Sequence, residues 1–156
     1  MEKATFGAGC FWHVEDTFRN TPGVISTIAG YMGGTLKNPS YEDIYTGATG
    51  HAEVVQVTFD PTAISYQELL KIFWEMHDPT TLNRQGPDHG TQYRSAIFYH
   101  TLEQKTAAEK SKKNLEQTQR YPQKIVTEIQ KTMTFYPAEE YHQQYFAKHG
   151  LTSCHL

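Results

Sequence analysis

Cys10 is the first residue whose type and position could do chemistry. It follows the turn Gly7-Ala8-Gly9 and precedes a stretch with helical periodicity, which places it at a helix N-terminus. Free N–H groups at such a terminus favour thiolate over thiol, and glycines leave room for a ligand near the backbone. Phe11 and Trp12 follow directly and could form an apolar wall beside the sulfur. A buried structural cysteine at the start of a core helix is the alternative, and position alone favours it.

A second cysteine, Cys154, lies third from the last residue, after a glycine that suits the end of a helix. A thiol in a terminal segment can reach a sulfenic acid on Cys10 and condense with it to a disulfide. An unreactive surface cysteine explains Cys154 equally well. Two cysteines at opposite ends do not make a disulfide framework, so they are either two inert thiols or a redox pair.

Four polar side chains beside loop-like stretches could assist a thiol. Glu53 begins an alternating strand, where partial burial would raise its pKa and let it act as an acid. The phenol groups of Tyr41 and Tyr93 could donate to a developing oxyanion, and Asp88 could orient one of them or bind a substrate amide. Taken one at a time, each is better explained by a structural role at the surface or in loop packing.

Composition and missing motifs exclude several classes of function. The net charge is −3 and no basic stripe is present, so neither nucleic acid nor an anionic membrane is expected as a partner. No apolar run approaches the ~18–20 residues of a membrane span, and no secretory signal begins the chain, so the cytoplasm is expected. The histidines lack metal-ligand spacing and no nucleotide-binding glycine motif occurs, so neither a metal nor a cofactor is predicted.

Periodicity and turn residues predict the elements that must position these groups. The expected strands are a short one from Thr5 and the runs Val24–Tyr31, Glu53–Phe59, Ser95–His100 and Ile125–Ile129. The expected helices are about Cys10–Asn20, one after the capping box Ser65-x-x-Glu68, Thr101–Gln119, and one from Pro137 to Gly150.

This order predicts an α+β fold, an α/β sandwich whose mixed β-sheet has a ferredoxin-like core with helices packed on it. Two long turn-rich stretches, 35–52 and 78–93, are expected to be functional loops. The length fits a single domain over residues 1–156, with Cys154 in a tail of about 150–156, and a monomer is expected.

The sequence resembles a known family along nearly its whole length. Gly9-Cys10-Phe11-Trp12 is similar to the signature of the peptide-methionine (S)-S-oxide reductases, the MsrA family. Six further motifs match that family in order between residues 4 and 146, which makes the resemblance highly specific. They are Gly30–Gly34 (GY-x-GG), Pro39–Glu42 (P-x-YE), Thr49–Glu53 (TGHAE), Phe73–Thr80 (FW-x-x-HDPT), Gly90–Ser95 (GTQYRS) and Ala138–Gln143 (AE-x-YHQ).

The resemblance implies a thiol-dependent enzyme that repairs oxidative damage by reducing methionine-S-sulfoxide, peptide-bound or free, to methionine. Cys10 would be the nucleophile and would become a sulfenic acid. Glu53 would protonate the sulfoxide oxygen, and Tyr41 and Tyr93 would hydrogen-bond that oxygen.

It also implies how the substrate is held and how the enzyme is recycled. Phe11 and Trp12 would cradle the S-methyl group, and Asp88 would help to hold substrate and water. Cys154 would be the resolving thiol, and a thioredoxin-like protein would reduce the Cys10–Cys154 disulfide.

Departures from the family pattern are few. His13 stands where the family often has glycine, and Pro87 and His89 flank Asp88 where asparagine and an aliphatic residue are common.

Two rival functions use the same residues: a thiol peroxidase built on both cysteines, and a non-enzymatic module that binds oxidised or aromatic peptides. The apolar Phe11-Trp12 pair and an acid at Glu53 disfavour the peroxidase, which needs no methyl pocket.

Overall fold

Strands and short helices alternate along the chain, which a computed structural model describes over residues 1–151. The strands are β1 (Glu2–Ala8), β2 (Val24–Met32), β3 (Ala52–Phe59), β4 (Arg84–Gln85), β5 (Asp88–His89), β6 (Ser95–Tyr99), β7 (Glu128–Lys131) and β8 (Tyr136–Pro137). The helices are α1 (Phe11–Arg19), α2 (Tyr41–Tyr45), α3 (Tyr66–Glu75), α4 (Leu102–Gln117) and α5 (Tyr145–Lys148). Within residues 1–151, no helix has both the length and the apolar character that crossing a bilayer requires.

Six strands form one sheet in the order β7-β6-β1-β3-β2-β8, and β4 pairs with β5 in a separate hairpin. All pairs in the large sheet are antiparallel except β6 with β7. The inner strands β6-β1-β3-β2, with α1 after β1 and α3 after β3, follow the β-α-β-β-α-β order of a ferredoxin-like core. The predicted α+β fold with helices on a mixed sheet is confirmed.

Aromatic side chains fill the space between the sheet and the helices. Phe6 of β1 is fully buried, and its ring stacks on Phe18 and Phe73 at centroid distances of 5.2 Å each. Phe11, Val14 and Phe18 form the buried face of α1 that their spacing predicted. Burial of this face fixes α1 against the sheet and therefore fixes Cys10 at its start.

The predicted C-terminal helix from Pro137 to Gly150 is wrong. Pro137 pairs with Gly30 as part of β8, Glu140–His142 form a 3-10 turn, and only Tyr145–Lys148 are α-helical. The side chain of Gln143 explains the difference, because its Oε1 accepts from the Ala29 amide and its Nε2 donates to the Ala29 carbonyl, both at 2.9 Å. These long-range bonds to β2 outweigh local helix propensity. Gly150 follows the short α5 with a φ of 65°.

The remaining differences lie in loops and at one strand. The predicted strand Ile125–Ile129 begins only at Glu128, because the Val126 amide donates to Pro79 rather than to β6. Within the predicted loop 35–52, Ser40 and Asp43 form a reciprocal capping box that starts α2. The stretch 78–93 contains the β4–β5 hairpin.

Candidate active site

Cys10 lies at the junction where β1 ends and α1 begins. It is the N-cap residue of α1, and its carbonyl accepts from the Val14 amide at 3.4 Å. Gly9 turns the chain with a φ of 94°, and a Cβ atom there would lie 2.8 Å from Cγ of Gln85. Glycine is therefore needed both for the turn and for the close approach of the hairpin that carries Gln85.

The Cys10 thiol is less acidic than its position predicted. Its pKa is raised to about 12, first by burial and then by the negative charges that Glu53 and Asp88 carry once they are ionised. The amides of Trp12 and His13 lower the pKa, as expected at a helix N-terminus, but they do not outweigh these causes. The expectation of a resting thiolate is thus wrong. The amides at the helix N-terminus stabilise the thiolate less than the loss of hydration destabilises it.

Glu53 is buried beside the start of α1. It lies on β3 opposite Tyr31 of β2 and is 2% exposed. Its Oε1 atom accepts from the Phe11 amide at 3.3 Å. Burial raises the pKa of Glu53 to about 8, with a further contribution from Asp88, although the Phe11 amide lowers it. The carboxyl group therefore holds a proton at neutral pH and can donate it.

Tyr41 and Tyr93 lie within electrostatic reach of this pair. Burial, together with the charges of Glu53 and Cys10 when these are ionised, raises the pKa of Tyr41 to about 12. Tyr93, in a short 3-10 turn before β6, has its pKa raised by burial and then by Glu53. Both phenols keep their protons at neutral pH and remain hydrogen-bond donors.

Phe11 and Trp12 have different environments. Phe11 is 1% exposed, and its ring packs against Tyr31 and His142 at 5.7 and 5.2 Å. Trp12 is partly exposed, and its indole Nε1 donates to Nδ1 of His142 at 2.9 Å. The indole ring also stacks on Tyr145, with centroids 3.7 Å apart and planes inclined by 6°. Trp12 is thus held at the surface while Phe11 is buried, and neither side chain lines the cleft that opens beside Cys10.

A cleft of about 610 Å³ opens beside the thiol. Cys10 and Asp88 line it together with the apolar side chains of Met76, Tyr121 and Phe146. Asp88 is partly buried on β5, so the β4–β5 hairpin carries it to the cleft. The cleft is large enough for an amino-acid side chain with part of its backbone.

Three residues around this site were given no role by the sequence. Glu139 accepts from the Tyr31 hydroxyl at 3.0 Å and from the Tyr41 amide at 2.8 Å. His142 and Tyr145 hold the Trp12 indole. The AE-x-YHQ motif signals Glu139 and His142, but the helix predicted there hid their contacts with α1 and α2.

Cys154, predicted to resolve the sulfenic acid, lies outside the described residues 1–151. Within those residues Cys10 is a free thiol, and no three His, Cys, Asp or Glu side chains are grouped to hold a metal ion.

A partly buried thiol, a protonated carboxyl group and two phenols on a ferredoxin-like core define the class of the protein as a thiol-dependent oxidoreductase. The sequence profile of the family described as peptide methionine sulfoxide reductase matches residues 2–156. The chain belongs to that family, as the sequence motifs predicted. Reduction of methionine sulfoxide is thereby supported over the peroxidase and the binding module.

Individual relatives agree with this assignment. A peptide methionine sulfoxide reductase MsrA of Methanothermobacter thermautotrophicus is 63% identical over 155 residues, covering 99% of this chain and 92% of that protein. The reduced form of Mxr1 from Saccharomyces cerevisiae superposes with a TM-score of 0.90 at 37% identity, covering 96% of this chain and 86% of that one. Mxr1 in complex with Trx2 gives a TM-score of 0.65 at 27% identity, covering 92% and 84%.

Proposed function

We propose that Cys10 reduces methionine-S-sulfoxide, free or in proteins, with Glu53 as the proton donor. The observation that carries this proposal is the state of Glu53. It is a carboxylic acid with a pKa of about 8, and it contacts the amide that directly follows Cys10. A sulfoxide sulfur becomes a good electrophile only when its oxygen is protonated or firmly hydrogen-bonded. The bond between Glu53 and the Phe11 amide supports the inference that one sulfoxide can meet both the acid and the sulfur nucleophile.

The first step transfers oxygen from substrate to enzyme. Glu53 gives its proton to the sulfoxide oxygen while the Cys10 sulfur attacks the substrate sulfur. The attack forms a bond between the two sulfurs. As the hydroxyl passes from the substrate sulfur to Cys10, the S–O bond and this S–S bond both break, so Cys10 is oxidised to a sulfenic acid and methionine leaves, reduced by two electrons. The proton lost by the Cys10 thiol restores the acid form of Glu53. Because the protonated substrate is positively charged, it lowers the pKa of Cys10 at the moment of attack.

Three groups of side chains hold the substrate during this step. Tyr41 and Tyr93 donate to the sulfoxide oxygen as charge develops on it. The partly exposed Trp12, with Phe11 next to it in the chain, contacts the S-methyl group. Asp88, which lines the cleft with Cys10, holds the polar part of the substrate and water.

Recycling would use Cys154. Its thiol attacks the sulfenic sulfur of Cys10, an S–S bond forms and water leaves. The Leu151 amide donates to Phe146, a wall of the same cleft as Cys10. Cys154 is three residues further on, a reach of roughly 10 Å for extended chain.

A thioredoxin-like dithiol would then reduce the disulfide, which agrees with the solved complex of Mxr1 with Trx2. Two thiols that must return to the reduced state suit a reducing compartment, so we place the enzyme in the cytoplasm.

One assay tests this function. Consumption of a dithiol reductant is measured with the S and R epimers of dabsyl-methionine sulfoxide and with hydrogen peroxide. We expect turnover with the S epimer alone and none in Cys10→Ser. Substantial turnover by Cys10→Ser would overturn the assignment of the nucleophile, and preferred consumption of peroxide would identify a peroxidase.

A further inference from the structure

A second buried carboxyl group, Glu15, has no part in the proposed chemistry. It lies on α1 and is 1% exposed. Its Oε2 atom accepts from the Thr27 hydroxyl at 2.8 Å, and its Oε1 atom accepts from the Gln144 amide at 2.7 Å. The second bond joins α1 to a segment 129 residues later in the chain.

Gln144 forms an unusual corner at this bond. Its backbone has φ 52° and ψ 42°, the left-handed region that side chains other than glycine rarely occupy. Its side chain is exposed. The corner is therefore held by its backbone, and Glu15 is the acceptor for the amide at that point.

The corner lies between the two residues that hold Trp12. His142, two positions earlier, accepts the indole N–H, and Tyr145, one position later, stacks on the indole ring. Phe146 comes next and lines the cleft beside Cys10. A change in the backbone at Gln144 would therefore move the Tyr145 stack, whereas His142 lies beyond Gln143, whose side chain is bonded to Ala29.

We propose that Glu15 is a positioning residue for substrate binding. By holding the Gln144 corner, it fixes Tyr145, whose ring stacks on the Trp12 indole, and so fixes the plane of that indole. This inference rests on the proposed function, because it requires Trp12 to contact the substrate.

Variants of Glu15 test the proposal through KM, kcat and the fluorescence of Trp12 in a Trp74→Phe background. Glu15→Ala leaves the Gln144 amide without its acceptor, and we expect KM for the S-sulfoxide to rise about tenfold with a smaller change in kcat. The emission of Trp12 should shift as its stack on Tyr145 loosens. Glu15→Gln should behave like the wild type, because its amide oxygen can accept from Gln144 and its NH₂ can donate to Thr27.

Thr27→Val is the matched control, since it removes one buried hydrogen bond to Glu15 and spares the bond to Gln144. Its KM and Trp12 emission should stay unchanged. If Thr27→Val raised KM as much as Glu15→Ala, the effect would be general destabilisation and the positioning role would be wrong.

If Glu15→Ala does not fold, variants of the exposed Gln144 test the same proposal. Gln144→Gly favours the left-handed corner and should keep KM, whereas Gln144→Val disfavours it and should raise KM. Equal KM values for these two variants would overturn the proposal. Trp12→Ala distinguishes the proposed function from the role of Glu15. An unchanged KM in Trp12→Ala contradicts the substrate contact that the proposed function gives to Trp12. A raised KM in Trp12→Ala, with no effect of Glu15→Ala, contradicts only the positioning role of Glu15.

Discussion

The amide of Phe11 donates to the carboxyl group of Glu53 at 3.3 Å, although 42 residues separate the two in sequence. Phe11 directly follows Cys10, so this bond links the proposed acid on β3 to the backbone that carries the proposed nucleophile. Phe11 and Glu53 are almost fully buried, which leaves them little freedom to move apart. The distance between acid and sulfur is thus set by the fold before a substrate arrives.

The pH dependence of the first step should report the state of Glu53. Its pKa is about 8, so the acid form predominates below that pH and is lost above it. Single-turnover reduction should therefore slow as the pH rises through about 8. Thiolate formation on Cys10 alone would give the opposite trend, since thiolate increases with pH.

Glu53→Gln is the matched variant for this profile. It should reduce the sulfoxide roughly 10²–10⁴-fold more slowly, lose the fall near pH 8 and keep KM nearly unchanged. An effect on KM alone would show that Glu53 only positions the substrate.

Stability should also depend on Glu53. The pKa of this group is raised in the folded state, from about 4.3 for an unperturbed glutamate to about 8. Between these values the folded state binds a proton that the unfolded state has lost, so the free energy of unfolding falls as the pH rises through this window.

Gln does not titrate, so the free energy of unfolding of Glu53→Gln does not fall in this pH window. Relative to the wild type, it should therefore rise by on the order of a few kcal/mol between pH 5 and pH 9. Urea unfolding of both proteins at the two pH values measures the difference. Parallel pH dependences would mean that Glu53 titrates normally in the folded protein.

The two phenols should act on the rate rather than on folding. Tyr41→Phe and Tyr93→Phe each remove one donor to the sulfoxide oxygen and should slow single-turnover reduction by roughly 10²-fold. Tyr45→Phe is the control on the same helix as Tyr41, because Tyr45 is 69% exposed. A rate for either test variant equal to that of Tyr45→Phe would remove that phenol from the mechanism.

Cys154→Ser should separate the two halves of the cycle. The first step does not use Cys154, so about one methionine per enzyme should form when enzyme is mixed with excess sulfoxide. Further turnover with thioredoxin should stop, and mass spectrometry should find the oxygen on Cys10. Normal cycling with thioredoxin would show that Cys154 is not the resolving thiol.

Local sequence patterns predicted the elements that local forces build. The buried face of α1 and the capping box of Ser65 and Glu68 follow from spacing alone, and both are confirmed. The segment after Pro137 could not be predicted in this way, because Gln143 bonds to Ala29 on a distant strand. The motifs located Cys10 and Glu53, but their pKa values depend on burial by residues from many parts of the chain.

The raised pKa of Cys10 also bears on the survival of the enzyme under attack by oxidants. Hydrogen peroxide and alkylating agents react with thiolates, and a thiol with a pKa of about 12 offers them almost none at neutral pH. In the proposed mechanism, the sulfur becomes reactive when a protonated sulfoxide lies against it. We therefore expect the resting thiol to be protected from oxidation to irreversible sulfinic and sulfonic acids under the oxidising conditions that create the substrate.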